Sequence, residues 1–372
     1  MHRRRFLAAG TAAAAAGLAG CRSMFQTRSA RSPPLVSDRP DAVYVPSHVE
    51  GMHAVGVVDA GEFRVGLSYS YPHRFWLVNG DRTNKVEIEG SDTVHLMATV
   101  WDADTGTVLP IGAVTVDADL DGESVLGGKS LWPMLSQNMG VHAGDNVELS
   151  GPGTYDVTVG VGPLSARTAG ALRDRFGERA EASVSLAFDE STLESVSYDR
   201  LPDRKGERDA VDPMEMESIP VASTPAPEEM PGAVVGEGTS GDARFVAARL
   251  DDPPAGVEAD EGTATGTDSA TADGSTAGGG YLAVSMRTPY NGYPIPMAAL
   301  SATVARDGRA VYDGPLAATV DPDLGYHYGA VADVRSGDEL TIAVDGPPQI
   351  ARHEGYETAF LSFSDVSMTV EA

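Results

Sequence analysis

The sequence predicts an all-β protein made of two tandem immunoglobulin-like antiparallel β-sandwiches joined by disordered acidic linkers. Apolar and polar residues alternate with a period of two in short segments such as 63–71, 95–102 and 155–162. Gly, Pro and Asp separate these segments at intervals of roughly ten residues, which is typical of sandwich strands. A short helix is expected at 169–180. The spacing of strands and turns therefore favours sandwiches over a helical fold.

A motif that occurs twice indicates that the sandwich is repeated. Residues 140–144 read GVHAG, residues 325–329 read GYHYG, and a strand-like segment follows each of them. Residues 63–76 can also be aligned with 281–293. We therefore expect two copies of one domain in tandem.

The domain boundaries follow from the composition between the strands. Residues 198–242 are rich in Pro, Glu, Ser and Gly, and residues 251–279 are acidic and of low complexity, so we expect both segments to be disordered. The predicted parts are a signal at 1–21, a tether at 22–42, a first sandwich at 43–197, a linker at 198–242, and a second sandwich at 243–372 with an insertion at 251–279.

The first 21 residues have the composition of a secretion signal. Arg3 and Arg4 precede an Ala-rich apolar run, and paired arginines indicate the twin-arginine export route. The run ends in LAGC, which resembles the lipobox of bacterial and archaeal lipoproteins, whose lipidated cysteine would here be Cys21. We therefore expect an exported protein that is anchored to the outer face of the cell membrane, since two acyl chains on one residue give a stable anchor.

The chain is strongly acidic and poor in lysine. It has 27 Lys and Arg residues against 54 Asp and Glu, a formal net charge of −27 at pH 7, and its lysines are Lys85, Lys129 and Lys205. Such a surface is typical of halophile proteins, because concentrated salt screens the repulsion between like charges. Phosphate binding needs basic patches, so the composition excludes nucleic acid as a partner.

The sequence lacks the motifs of common enzyme classes, so we do not expect an enzyme. It has no G-x-S-x-G motif and no dinucleotide fingerprint, and GGKS at 127–130 lacks the upstream glycine of a phosphate-binding loop.

With Cys21 as the single cysteine, a metal site would use imidazole, thioether and carboxylate groups. Thioether suits Cu⁺, whereas imidazole suits copper, iron or zinc.

The region around the first repeated motif resembles a known family. Residues 130–146 read SLWPMLSQNMGVHAGDN and residues 151–163 read GPGTYDVTVGVGP, which is similar to the signature of the periplasmic iron-transport-associated (Fe²⁺ transport protein) family. These are immunoglobulin-like metal-binding proteins that accompany iron uptake systems. The resemblance implies a metal held by His and Met side chains with carboxylate help, near a homodimer interface, and a metal permease as partner.

The resemblance assigns candidate metal ligands in both halves of the chain. Met134 and His142 match the second Met and the His of the family motif, while Trp132 stands in place of the first Met. In the second half, His327 matches the motif histidine, and His353 matches the histidine of a later Arg-His pair.

Neither half carries the whole ligand set, which suggests a composite site. Residues 167–168 read Arg-Thr where the family has its Arg-His pair, and His73 and His95 are the candidates for an early ligand. We expect the halves to pack as the family's homodimer does and to share one site for iron or copper. The predicted function is capture of that metal for an uptake system. The alternative is a non-catalytic interaction or adhesion module whose histidines are structural.

Overall fold

Antiparallel β-strands make up nearly all of the secondary structure, which confirms the predicted fold class. The computed structural model describes residues 33–258 and 279–371. The predicted signal with Cys21, most of the tether at 22–42 and most of the insertion at 251–279 therefore lie outside the described residues. Within the described ranges, no helix is long and apolar enough to cross a membrane.

The first half of the described chain is built from short strands with one short α-helix, α1 (Glu190–Ser195). In place of the helix expected at 169–180, the structure has a single 3-10 turn at Gly170–Leu172. The strands are β1 (His48–Glu50), β2 (His53–Ala60), β3 (Phe63–Ser70), β4 (Phe75–Asn79), β5 (Arg82–Val86), β6 (Val94–Asp102), β7 (Val114–Leu120), β8 (Glu123–Ser136), β9 (Gly140–Val147), β10 (Gly153–Val161), β11 (Arg167–Thr168), β12 (Ala180–Phe188) and β13 (Tyr198–Arg200).

The second half has the same kind of architecture, with one 3-10 turn at Pro227–Glu229 before its first strand. Its strands are β14 (Ala233–Ser240), β15 (Ala243–Leu250), β16 (Tyr281–Arg287), β17 (Ala299–Arg306), β18 (Arg309–Asp321), β19 (Gly325–Val331), β20 (Glu339–Gly346), β21 (Ala351–His353) and β22 (Val366–Thr369).

Both halves have the same strand order, as a tandem repeat requires. The first sheet runs β12-β10-β7-β8-β9-β6-β3-β2, and the second runs β22-β20-β17-β18-β19-β16-β15-β14. In each half one long strand, β8 or β18, pairs with one neighbour through its first part and with another through its second part. This strand therefore passes from one layer of its sandwich to the other. Buried side chains of the two sandwiches, such as Phe63 and Phe245, belong to one continuous apolar core.

The strand order corrects one alignment made from the sequence. Residues 63–76 were aligned with 281–293, but β3 corresponds to β15 and β6 corresponds to β16. Isolated bridges join the ends of β6 and β16 to the segments that follow them at matching places, Trp101 to Val108 and Arg287 to Pro294, in agreement with this correspondence. Alternating strands of similar composition are hard to distinguish by sequence, whereas their neighbours in the sheet identify them. Tyr281 is thus the counterpart of His95.

Each half donates one short strand to the other half. Strand β21 pairs in parallel with β8, so that Ala351 lies opposite Met134. Strand β11 pairs in parallel with β18, so that Arg167 lies opposite Thr319. Because β11 follows β10 as β21 follows β20, the exchange is reciprocal. A site beside β8 or β18 therefore receives residues from both halves of the chain.

The structure also corrects the predicted linker at 198–242. Strand β14 begins at Ala233, inside that range, and belongs to the second sheet. The preceding segment is ordered by contacts with distant residues: the Val211 N–H donates to Gln137 Oε1 at 2.9 Å, and Ile219 is buried. Its content of Pro, Glu, Ser and Gly suggested disorder, and the ordering contacts could not be seen in the sequence because their partners are remote.

Candidate metal centre

Three strands of the first half and one donated strand of the second half bring their His and Met side chains to one place. Strand β6 carries His95, β8 carries Met134, β9 carries His142, and β21 carries His353. His73 follows β3 and joins them, because the end of β3 pairs with the start of β6. The structure thus brings together five of the six metal ligands predicted from the sequence. We call these five side chains the His/Met cluster.

The side chains of the cluster are close enough to bind a common ion. His353 Nε2 lies 3.3 Å from Met134 Sδ, and one ring nitrogen from each of His73, His95 and His353 lies within 4.8 Å of the others. The ring centre of His142 is 5.2 Å from that of His353. Ligand atoms bound to one ion at about 2.0–2.3 Å lie roughly 3–4.5 Å apart. Small side-chain adjustments would therefore complete a metal site.

Hydrogen bonds at Nδ1 leave Nε2 available in three of the histidines. Each of these Nδ1 atoms donates to a carbonyl oxygen: His73 to Tyr71 O at 3.1 Å, His95 to Asn146 Oδ1 at 2.9 Å, and His142 to Gly140 O at 3.1 Å. Because a carbonyl can only accept, Nδ1 carries the proton and Nε2 presents its lone pair. These Nε2 atoms are buried and have no hydrogen-bond partner in the part of the chain that the structure describes.

Burial keeps the rings of the cluster neutral. Desolvation lowers the pKa of His73 and of His142 to about 4, and it lowers the pKa of His95 well below its ordinary value. The pKa of His353 is also lowered well below its ordinary value, first by burial and then by the neighbouring imidazoles. At pH 7 the rings can therefore bind a metal without first losing a proton.

Gly144 leaves open the space that the cluster surrounds. This residue lies on β9 opposite Met97 of β6. A Cβ atom added to Gly144 would lie 2.8 Å from His95 Nε2 and 3.2 Å from Met134 Sδ. Both donor atoms thus border the same small space, and even an alanine would intrude on it.

His327, predicted as a ligand from the second half, lies outside the His/Met cluster. Its Nδ1 is 3.0 Å from Gly325 O, and its Nε2 is 2.9 Å from the hydroxyl oxygen of Tyr281. Both ring nitrogens therefore have partners within the second half. The second half reaches the cluster through the donated strand β21, whereas β19, which carries His327, stays beside β16 and β18.

The equivalent place in the second half lacks the donor set. Four of the five cluster residues lie on paired strands and have an assigned counterpart, and one of these counterparts is still a histidine. The pairing also moves the counterpart of the Arg-His pair from residues 167–168 to residues 168–169. Tyr281 takes the place of His95, Thr319 that of Met134, His327 that of His142, and Ala169 that of His353.

A carboxylate that was not among the predicted ligands lies beside the cluster. Glu50 has a side chain that is 8% exposed, with Oε1 at 3.4 Å from His48 Nε2 and Oε2 at 3.8 Å from His73 Nδ1. Neither oxygen has a hydrogen-bond partner among the described residues. The signal that could have found it is the His-x-Glu spacing of 48–50, which puts both side chains on one face of a strand.

Comparisons with known proteins give a partial family match and distant structural likenesses. A family model described as a domain of unknown function (DUF7350) matches residues 228–369, and no curated protein matches the chain. The as-isolated FetP of uropathogenic E. coli strain F11 is 18% identical, with 38% of this chain and 96% of that chain covered and a TM-score of 0.27. The copper-reconstituted P19 protein of Campylobacter jejuni is 13% identical, with 37% and 96% covered and a TM-score of 0.28.

A copper-bound variant of the same FetP gives similar values, with 18% identity, 37% of this chain and 97% of that chain covered, and a TM-score of 0.27. At these identities and TM-scores the likenesses carry no argument about function. The inference about function therefore rests on the residues of the site.

Proposed function

We propose that this protein binds a single copper ion in the His/Met cluster and captures it at the outer face of the cell membrane for an uptake system. The observation that supports this most strongly is the set of buried Nε2 atoms on His73, His95 and His142 that have no hydrogen-bond partner among the described residues. A buried polar atom left unpaired costs about 1–3 kcal/mol. An ion bound at these atoms would remove that cost.

The donor types favour copper over iron. Met134 supplies a thioether, a soft donor that suits Cu⁺, and the imidazoles of the cluster suit copper in either oxidation state. All of these donors are neutral, and transferring a charge into a buried site is costly, more so for a divalent ion than for a monovalent one. We therefore expect Cu⁺ to bind more tightly than Fe²⁺, the other metal that the sequence suggested.

The cluster is arranged for reversible binding. His95 and Met134 are fully buried, whereas His73 and His353 are half-buried. The ion would therefore enter and leave on the side of His73 and His353. A permease could receive it there, and the lipid anchor expected at Cys21 would keep the protein close to such a partner.

The alternative function is an interaction module with structural histidines, and a comparison between histidines of the same chain bears on it. His327 shows what a structural histidine looks like here, since both of its ring nitrogens are hydrogen-bonded. His73, His95 and His142 each have one buried nitrogen that is not hydrogen-bonded to any residue the structure describes. This difference is why we favour metal binding, without catalysis, over a purely structural role.

The choice of metal can be tested with the metal-free chain in high salt. We expect one tight equivalent of Cu⁺ in competition with a chromophoric chelator, and Fe²⁺ binding that is weaker by a factor of about 100 or more, or 2.7 kcal/mol. The acidic surface contributes weak background binding, so tight stoichiometric binding is the readout. If neither ion binds more tightly than that background, the proposed function is wrong.

A further inference from the structure

A second pair of metal-binding groups lies on β1, beside the His/Met cluster. His48 and Glu50 are two residues apart on this strand, so their side chains project from the same face. His48 Nε2 is 3.4 Å from Glu50 Oε1, and the two side chains are 11% and 8% exposed. Strand β1 pairs with β13, outside the two large sheets, so both groups are supplied by a segment that the tandem repeat does not include.

The burial of the Glu50 side chain is not explained by hydrogen bonds from the residues that the structure describes. Neither of its carboxylate oxygens has a hydrogen-bond partner in the described ranges 33–258 and 279–371. A buried carboxylate without such partners is unfavourable unless a cation compensates its charge. Two ligands at about 2.1 Å from an ion and 3.4 Å apart subtend an angle of about 110°, which is tetrahedral. His48 and Glu50 are thus spaced as two ligands of one ion would be.

We propose that His48 and Glu50 form an outer cation site, which binds divalent first-row metal ions and through which Cu⁺ passes, unchanged in oxidation state, on its way to the His/Met cluster. This inference deepens the proposed function and rests on it. His73 connects the two places, because its Nδ1 lies 3.8 Å from Glu50 Oε2 while its ring lies against that of His95, tilted by 36° and with 3.9 Å between ring centres.

The two sites differ in the ions that they favour. The outer site offers one imidazole and one carboxylate, a harder donor set than the thioether and imidazoles of the cluster. With two protein ligands and partial exposure, its ion keeps bound water and exchanges quickly. Cu⁺ can therefore be held there weakly and briefly, and then pass to the cluster in the same oxidation state, because more protein donors surround it there.

The outer site is tested on the full chain in two stages. The protein first receives one equivalent of Cu⁺ without oxygen, and Zn²⁺ is then titrated in high salt by calorimetry. The variants are Glu50→Gln and His48→Gln, with His53→Gln as the matched control, since the His53 ring packs on Tyr69. Gln keeps the size of Glu and removes an uncompensated buried charge, so Glu50→Gln should fold as well as the wild type.

We expect the wild type and His53→Gln to bind one Zn²⁺ per chain, and both other variants to bind it about 10- to 100-fold more weakly. The same two variants should also load Cu⁺ more slowly. If Glu50→Gln and His48→Gln bind Zn²⁺ and load Cu⁺ as the wild type does, the outer site is refuted. The two claims fail separately, because a chain that binds no Cu⁺ tightly in the first stage contradicts the proposed function instead.

Discussion

Alanine at position 144 would place one methyl group inside the His/Met cluster. Its Cβ would lie 2.8 Å from His95 Nε2, whereas ordinary contacts begin at 3.4 Å, so this nitrogen must retreat by about 0.6 Å. Metal–ligand distances in a good site vary by about 0.2 Å, a third of that displacement. We therefore expect the Kd for Cu⁺ to rise by a factor of about 100 or more, or 2.7 kcal/mol. Overpacking should also lower the free energy of unfolding of the metal-free protein by about 1–3 kcal/mol.

The assay is competition for Cu⁺ with a chromophoric chelator in high salt, together with denaturant unfolding of the metal-free protein. Gly112→Ala is the matched control, because its Cβ would meet one atom, Met297 Cε, at an ordinary distance of 3.7 Å. The control should bind Cu⁺ as the wild type does. If folded Gly144→Ala also binds Cu⁺ with unchanged affinity, the ion does not lie between His95 and Met134, and the reasoning about this space is refuted.

Three further predictions concern the donor set, the repeat and pH. Met134→Leu removes the thioether but keeps the apolar volume, so in the same competition assay the preference for Cu⁺ over Zn²⁺ should fall by about tenfold or more. Combining Tyr281→His, Thr319→Met and Ala169→His with the existing His327 rebuilds four of the five donors in the second half, enough for a tetrahedral site, and the variant should bind two Cu⁺ per chain; a single equivalent would contradict the assigned correspondence. Burial lowers the pKa of His142 to about 4, from about 6.5 in the unfolded chain, so the stability that its neutral ring provides is present above pH 6.5 and is lost as the pH falls towards 4. Between pH 7 and pH 5 the metal-free wild type should therefore lose about 2 kcal/mol more unfolding free energy than His142→Leu, and parallel denaturation profiles would show that the ring is not buried neutral.

The fold class could be predicted from the sequence because its signals are local. Period-two alternation and closely spaced turns lie within each strand, and the repeated motif at 140–144 and 325–329 indicated the tandem copies. That residues 198–242 are ordered could not be predicted, because their structure depends on contacts with residues that are distant in the sequence. Ile219, for example, packs against Gly66, where even an added Cβ would lie 2.7 Å from its side chain.

Part of the site could also be predicted, because some of its ligands belong to local sequence motifs. The types and spacing of Met134 and His142 pointed to metal chemistry, and the incomplete set in each half suggested a site shared between halves. The sequence did not distinguish His353, on a donated strand, from His327, on a strand that stays in its own half. It also did not reveal the position of Glu50, because β1 is held in place by β13, far along the chain.

The central claim is that one metal site draws ligands from both halves of the chain. The most direct test is Cu⁺ titration of the wild type beside His142→Ala and His353→Ala, with His327→Ala as the control that lies outside the cluster. We expect one tight equivalent for the wild type and for His327→Ala, and loss of tight binding in both other variants. Tight binding that survives His353→Ala but not His142→Ala would contradict the account, because the site would then belong to the first half alone.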